Sequence, residues 1–516
     1  MCGIWLLVGA QQGDPLASKR RGPDHTYICK YPDFQMGFHR LAIHDITTAG
    51  RQPFVEKLEN GLSFVYMCNG EIYNYKALIA DHGFVMSSGS DCEVIGKLYA
   101  QSRDIKEVAR QLDGEFAIAG VLLDANSNVL ETVVARDQYG VRPLYYIHNG
   151  KGWVFSSVLA GVPAPAKHFP PGECWTIVRG TDVRTQVIYD APRYPSAPTS
   201  DILVLYTRVA NALIRSVEKR LDSDRPIGFL LSGGLDSSLV VSIATRLIGK
   251  DRVRTFSIGM EGSEDLRYAR EVATFLGVQH TEVHFTEHEG IFAIPDTVGA
   301  IETYDITTIR ASVPQFLLAK YIREKTDVRV ILNGDGADEV QMGYMYFHNS
   351  PSAEDARSET ERLLKDIYMF DGLRVDRTLG AHGLEARVPF LDPEFVEASF
   401  DVPLHLRRQG MEKQFIRSAF QLLYPDCLPR NVLWRRKEAF SDGVSQQGVS
   451  WYTLIQRALQ SNAITPVPHI QPHTPESACY RKLFDATFPG QYEILPYYWM
   501  PKWSKTTDPS ARTLAT

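Results

Sequence analysis

The chain has 516 residues, enough for two or three domains and too many for one small binding module. Apolar residues make up 44% and charged residues 22%, the composition of a folded protein with buried cores and not of a disordered one. Lys and Arg number 55 against 61 Asp and Glu, a net charge of -6, so the basic excess that nucleic-acid binding draws on is missing. Small-molecule or protein partners are expected, with no nucleic acid.

The first residues, Met1-Cys2-Gly3-Ile4-Trp5-Leu6-Leu7-Val8, lack the basic region and small-residue cleavage site of a signal peptide, and no apolar run reaches membrane-spanning length. Seven scattered cysteines without a CxxC pair suit free thiols in a reducing compartment. A soluble cytoplasmic protein with no membrane partner is the expectation. From residue 1 to about 188 short Val, Ile, Leu and aromatic runs alternate with turn residues, as in Leu62–Cys68 and Glu115–Leu123, which read as strands. Val94, Ile95, Leu98 and Tyr99 recur at helical spacing within Asp91–Gln101. A proline-dense stretch between Tyr189 and Asp201 marks a boundary. The expected division is a first domain 1–188, a linker 189–200, a second domain 201–504 and a frayed tail 505–516.

Beyond the boundary the pattern changes to helices near 201–221, from Ser237 through Leu247, over Glu264–Leu276 and over Val313–Glu324. They alternate with strands Pro226–Leu231, Val253–Ile258, Thr281–Phe285 and Val328–Leu332, the signature of a parallel α/β sheet. The segment from about 355 to 500 reads as mostly helical.

Ser232-Gly233-Gly234-Leu235-Asp236-Ser237-Ser238 falls between a strand and a helix start. Its glycines allow close backbone approach, its hydroxyls can donate, and the free amides of a helix N-terminus complete an anion cradle. The plain alternative is a glycine-rich turn with a serine cap. A second turn, Asn333-Gly334-Asp335-Gly336-Ala337-Asp338-Glu339, follows the strand ending at Leu332. Strands of a parallel sheet carry ligands at their carboxyl ends, so both turns are expected to face one crevice. Carboxylates beside phosphates need a divalent cation, which makes Asp236 and Asp338 the Mg2+ candidates. Cys2 becomes the first residue once Met1 is removed, and its own α-amine, pKa about 8, can then serve as base for the thiol. Cys29, Cys68, Cys92 and Cys174 read as structural thiols.

The Ser232 heptapeptide resembles the pyrophosphate loop of ATP pyrophosphatases, which cleave ATP between the α and β phosphates. Cys2 is accompanied by Arg21-Gly22-Pro23-Asp24, His39-Arg40-Leu41-Ala42-Ile43, Asn69-Gly70-Glu71, Gly89-Ser90-Asp91 and Arg136-Asp137-Gln138-Tyr139-Gly140. That set resembles the class II glutamine amidotransferases, and the two sets together resemble the glutamine-hydrolysing asparagine synthetase family over residues 1 to about 450. The resemblance implies an α+β N-terminal-nucleophile (Ntn) hydrolase domain, an αββα sandwich, followed by an α/β parallel-sheet ATP pyrophosphatase (PP-loop) domain. It implies glutamine, aspartate and ATP as substrates, with Mg2+. A homodimer is an expectation that nothing in the sequence tests.

The resemblance also assigns residues. Cys2 is the nucleophile, Asn69 and Gly70 the oxyanion donors. Arg40 with Leu41, Ala42, Ile43 and His44, and Glu71 with Asp91, hold glutamine. A guanidinium for its α-carboxylate and two acids for its α-ammonium would select a free amino acid. The ATP site draws on Leu230 and Ile258 beside adenine, on Ser232, Gly233, Gly234, Leu235, Asp236, Ser237 and Ser238 for phosphates, and on Asn333 and Gly334. Lys437, within Trp434–Gly443, carries charge on the departing phosphates, and Asp335 assists formation or capture of the activated carboxylate. The segments Glu302–Ser312 and Gly383–Asp392 are expected to serve the amino-acid substrate and pyrophosphate.

The chain departs from the family where Asn333, Asp335 and Ala337 replace the usual Ser, Glu and Ser of the acidic loop. It departs again where Gln341-Met342 replaces Phe-Gly, where His44 replaces a small aliphatic residue, and in a short Cys2–Arg21 segment. Two alternatives stay open at this point: the same architecture acting on another carboxylate, and a catalytically silent binding homologue.

Overall fold

The computed structural model describes residues 1–178, 182–189, 201–438, 440–445, 449–504 and 509. The expected linker and tail lie outside the described residues, apart from Tyr189 and Pro509.

The amino half is two six-stranded sheets with antiparallel pairing. One runs Lys167–His168, Tyr145–His148, Gly152–Ser156, Gly3–Gly9, Phe34–Arg40, His25–Lys30; the other runs Asp182–Val187, Glu173–Val178, Val129–Arg136, Gly114–Leu123, Ser63–Ile72, Phe54–Lys57. Strand side chains alternate between faces, and the sequence uses that period to make layers. Ile4, Leu6 and Val8 enter the space between the sheets, where they share a core with Val65, Met67, Ala117, Ala119 and Val121. Phe64, Tyr66 and Cys68, on the opposite face of Ser63–Ile72, pack with residues of the helices Val94–Ser102 and Ile105–Gln111. Trp5 and Leu7 face away from the sandwich and belong, with Leu159 and Val162, to the core of the carboxyl half. The second domain thus covers the outer face of the first sheet.

The carboxyl half holds a five-stranded parallel sheet in the order Gln279–His284, Arg254–Gly259, Ile227–Leu230, Val330–Leu332, Glu385–Arg387. Strand order reverses beside Ile227–Leu230, so the turns after it and after Val330–Leu332 open into one crevice. The helix Glu264–Leu276 has its expected limits because Ser263 accepts from the Leu266 N–H and Gly277 closes it at φ +67°. The helix expected from Val313 begins instead at Ile306: Asp305 caps it by accepting from the Thr308 N–H, and Pro314 lies inside it. The helix Glu287–Ile301 and the strand Glu385–Arg387 are additions to the sequence reading. Among the described residues no helix is long and apolar enough to cross a membrane.

Buried ion pairs join the halves. Arg21 bonds Asp376 at 2.6 Å, with Arg142 3.7 Å from the same carboxylate, Arg220 bonds Glu115 at 3.0 Å, and Arg387 reaches Glu71 at 3.1 Å. A buried charge is tolerated only when paired, so removing one member would leave an uncompensated charge between the domains.

Candidate active sites

Cys2 precedes the strand Gly3–Gly9, and its carbonyl accepts from Arg21 Nε at 3.0 Å. Its thiol donates to the Leu41 carbonyl at 3.6 Å. Burial pushes that thiol up to about 11, and the neighbouring amine and Arg40 pull the other way. With Met1 in place the Cys2 nitrogen is a peptide nitrogen, and Cys2 is a protonated thiol without a base. The Met1 amine, itself buried, lies 3.6 Å from Glu385.

Asn69 and Gly70 sit within the strand Ser63–Ile72. Gly70 is required there, since a Cβ would lie 2.3 Å from the Glu115 carbonyl on the neighbouring strand. The Asn69 side chain is fully buried, yet neither its oxygen nor its nitrogen has a hydrogen-bond partner. Burying an amide without partners costs about 1–3 kcal/mol, so such a group is a sign of a ligand to come. Arg40 is held by the loop that follows it, Nη1 donating to the Thr47 carbonyl at 2.5 Å and Nη2 to the Asp45 carbonyl. Leu41, Ala42 and Ile43 are buried beside it. Glu71 pairs with His44 at 3.1 Å, while Asp91 accepts from the Ile72 N–H at 2.7 Å.

In the carboxyl half a cleft of about 1080 Å3 opens at the strand ends. It is lined by Leu230, Ser232, Gly234, Leu235, Asp236, Ser237, Ile258, Asn333, Gly334, Asp335 and Asp338 from the sequence reading, and by Lys437. The helix Leu235–Ile248 starts at Gly234 without a side-chain cap, leaving its first amides available to an anion. The two turns touch: a Cβ on Gly334 would meet the Ser237 nitrogen at 2.8 Å and Asp236 Cβ at 2.9 Å. Gly233 and Ser238 stand behind this surface. Gly233 has φ +72° and lets the backbone pass against Tyr268, and Ser238 is wholly buried.

Charge in the cleft is arranged around Asp338. Lys437 Nζ donates to its Oδ2 at 2.5 Å, and Lys413 Nζ bridges its Oδ1, at 2.5 Å, to Asp236 Oδ2, at 2.6 Å. Against desolvation, these ammonium groups hold the Asp338 carboxyl well below the usual carboxylate range, and the Asp338 and Asp236 carboxylates hold Lys437 well above its own. Asp335 pairs with Arg374, which also pairs with Asp371; burial raises the Asp335 carboxyl and Arg374 opposes the rise. Asn333 Oδ1 accepts from the Asp335 N–H at 3.0 Å, and its buried Nδ2 has no partner. Lys413 and Arg374 escaped the sequence reading, because neither lies in a recognisable motif and Lys413 meets a partner 177 positions away.

One expectation is corrected. The Gly383–Asp392 segment does not line the cleft; Arg387 turns its guanidinium to Glu71 and Glu385 in the interface between the halves. The Glu302–Ser312 segment divides. Thr307 and Arg310 line the cleft, with Arg310 bonded to Glu476 at 2.7 Å, whereas Glu302 accepts backbone N–H groups of Leu159 and Ala160 in the amino half.

Fold and sites together define a glutamine amidotransferase joined to an ATP-dependent synthetase. The glutamine amidotransferase domain model matches residues 1–168, and the asparagine synthase model matches 208–362 and 349–504. The asparagine synthetase [glutamine-hydrolyzing] of Gallus gallus is 40% identical over all of this chain and 98% of its own length. The Homo sapiens protein of that name, over the same shares, and the probable asparagine synthetase of Acanthamoeba polyphaga mimivirus, over all of both chains, are each 39% identical. The chain belongs to the glutamine-hydrolysing asparagine synthetase family.

Proposed function

We propose that the chain makes asparagine from aspartate, ATP and glutamine through the following residues. Once Met1 is removed, the Cys2 α-amine takes the thiol proton and Sγ attacks the side-chain amide carbon of glutamine. The oxyanion is received by Asn69 Nδ2–H and the Gly70 N–H; ammonia leaves, and water releases glutamate from the γ-glutamyl thioester. Arg40 faces the glutamine α-carboxylate, Glu71 and Asp91 its α-ammonium, and Leu41–His44 wall the pocket.

In the cleft a β-carboxylate oxygen of aspartate attacks the ATP α-phosphorus, giving β-aspartyl-AMP and pyrophosphate. Ammonia then attacks the acyl carbon and expels AMP. Leu230 and Ile258 flank adenine, the Ser232–Ser238 turn and Asn333–Gly334 hold phosphates, and Lys437 and Lys413 balance charge on pyrophosphate. Asp335, steered by Arg374, stands where the activated carboxylate forms. Two carboxylates in the cleft, Asp236 and Asp338, fit Mg2+, which takes one or two carboxylates and completes its shell with phosphate oxygens and water. Bound there with ATP, Mg2+ would neutralise phosphate charge. Division of labour is chemically needed, since a carboxylate is a poor acyl donor and ammonium is no nucleophile.

The observation that carries this reading is the contact of Gly334 with Asp236 and Ser237, which brings the acidic turn and the phosphate turn to one cleft under two lysines. The test is product analysis of Met1-free protein with aspartate, MgATP and glutamine. Asparagine, AMP, pyrophosphate and glutamate are expected in equal amounts; no pyrophosphate from either glutamine or ammonium would overturn the assignment.

A further inference from the structure

The glutamine pocket contains a cation of its own. His44 follows the buried run Leu41–Ile43, and its Nε2 lies 3.1 Å from Glu71 Oε2 with both side chains nearly closed to solvent, at 7% and 5% exposure. Arg387, from the other half, reaches the same carboxylate oxygen at 3.1 Å. The imidazole is seated against the Tyr75 ring, 5.6 Å between centroids, and Asp91 stands close enough to add to its field. Desolvation opposes protonation, but the Glu71 carboxylate and its hydrogen bond push His44 up to about 9, above Glu71, which burial, Glu385 and Asp91 push up to about 7 against Arg387 and His44, so the proton of the pair rests on the ring. A small aliphatic residue, usual at this position in the family, would leave Glu71 with Arg387 alone.

Glu71 is the acid assigned above to the substrate α-ammonium, and this inference rests on that reading of the Cys2 half as a glutaminase. We propose that His44 is a specificity-determining residue that takes up Glu71 in place of the substrate α-ammonium, weakening selection for a free amino acid as amide donor. An arriving ammonium meets a carboxylate oxygen already shared by two cations, His44 and Arg387. Like charges a few ångströms apart in a partly buried site repel by an amount that lowers affinity about tenfold or more. An amide that lacks the α-amino group meets no such repulsion. The pocket therefore binds glutamine more weakly than its acids suggest and discriminates poorly against glutaramate, the des-amino analogue.

Steady-state hydrolysis of glutamine and of glutaramate by Met1-free enzyme tests this, with His44→Val removing the ring and His44→Gln keeping a hydrogen-bond donor without the charge. Both variants are expected to lower KM for glutamine about tenfold relative to KM for glutaramate, so that the ratio of the two falls while kcat changes little. Ammonium-supported asparagine synthesis reports that the variants are folded. Equal changes for both donors, or a rise in KM for glutamine alone, would overturn the proposal. Should the unsubstituted enzyme release no glutamate from glutamine while ammonium still supports synthesis, the glutaminase reading itself fails and takes this one with it.

Discussion

The two sites of this chain solve the problem of buried polarity in opposite ways. Around Cys2, the residues Asn69, Gly70 and Glu71 sit within an antiparallel strand, held by the ladder to Gly114–Leu123. There Asn69 is left with an unpartnered amide, and the closeness of the Glu115 carbonyl admits only glycine at position 70. In the nucleotide cleft the groups stand on turns beyond the ends of parallel strands, and four charged side chains neutralise one another across open space: Asp236, Asp338, Lys413 and Lys437. The first site is shaped by backbone and waits for one small ligand. The second is shaped by charge, and a ligand must enter by exchanging with pairs that already exist.

Separating the two is the largest effect expected. Cys2→Ala should lower glutamine-supported synthesis about 10⁴-fold, as removal of a nucleophile does, while ammonium-supported synthesis persists; parallel assays of glutamate and asparagine check both. Its mirror is Lys437→Met, which strands Asp338 with Lys413. Pyrophosphate release should fall about 10³-fold, as loss of a charge-stabilising donor does, and glutamine hydrolysis should remain measurable. Gly334→Ala sharpens the contrast by forcing the two turns apart without removing a charge. A displacement of that kind is expected to cost about 100-fold in adenylation, read by aspartate-dependent exchange of labelled pyrophosphate into ATP. The smallest effect is for Asp335→Ala, about tenfold on the same exchange, because the shorter acid is already tied to Arg374 and reaches less far. A near-normal rate would remove Asp335 from the mechanism.

What the sequence made legible follows from how local the determining physics is. The helix Glu264–Leu276 was readable to its ends because its cap, Ser263, and its terminator, Gly277, are neighbours in sequence. The turn Ser232–Ser238 was readable because strand, glycines and helix start are contiguous. The helix starting at Ile306 lost its first turns to the reading because Pro314 and a run of β-branched residues mask the Asp305 cap. The helix Glu287–Ile301 was hidden by Gly290 and Pro295. Position in space was hardest. Arg387 stands in a motif that suggests substrate contact, but parallel pairing with Val330–Leu332 aims its side chain into the other half. Lys413 and His44 acquire meaning only through partners brought by folding, Asp236 and Glu71.

The burial of Met1 turns maturation into a race. It is 1% exposed, its Cε methyl lies against Gly380, and its amine faces Glu385, both in the second half. A peptidase that trims the first residue needs that end extended and free, so trimming has to happen before the halves close. At ribosomal speeds the stretch between Cys2 and Glu385 takes on the order of tens of seconds to emerge, and that interval is the window. On the role proposed for Cys2, a chain that keeps Met1 is expected to make asparagine from ammonium alone. The fraction retaining Met1, measured by intact mass, is expected to equal the fraction unable to hydrolyse glutamine.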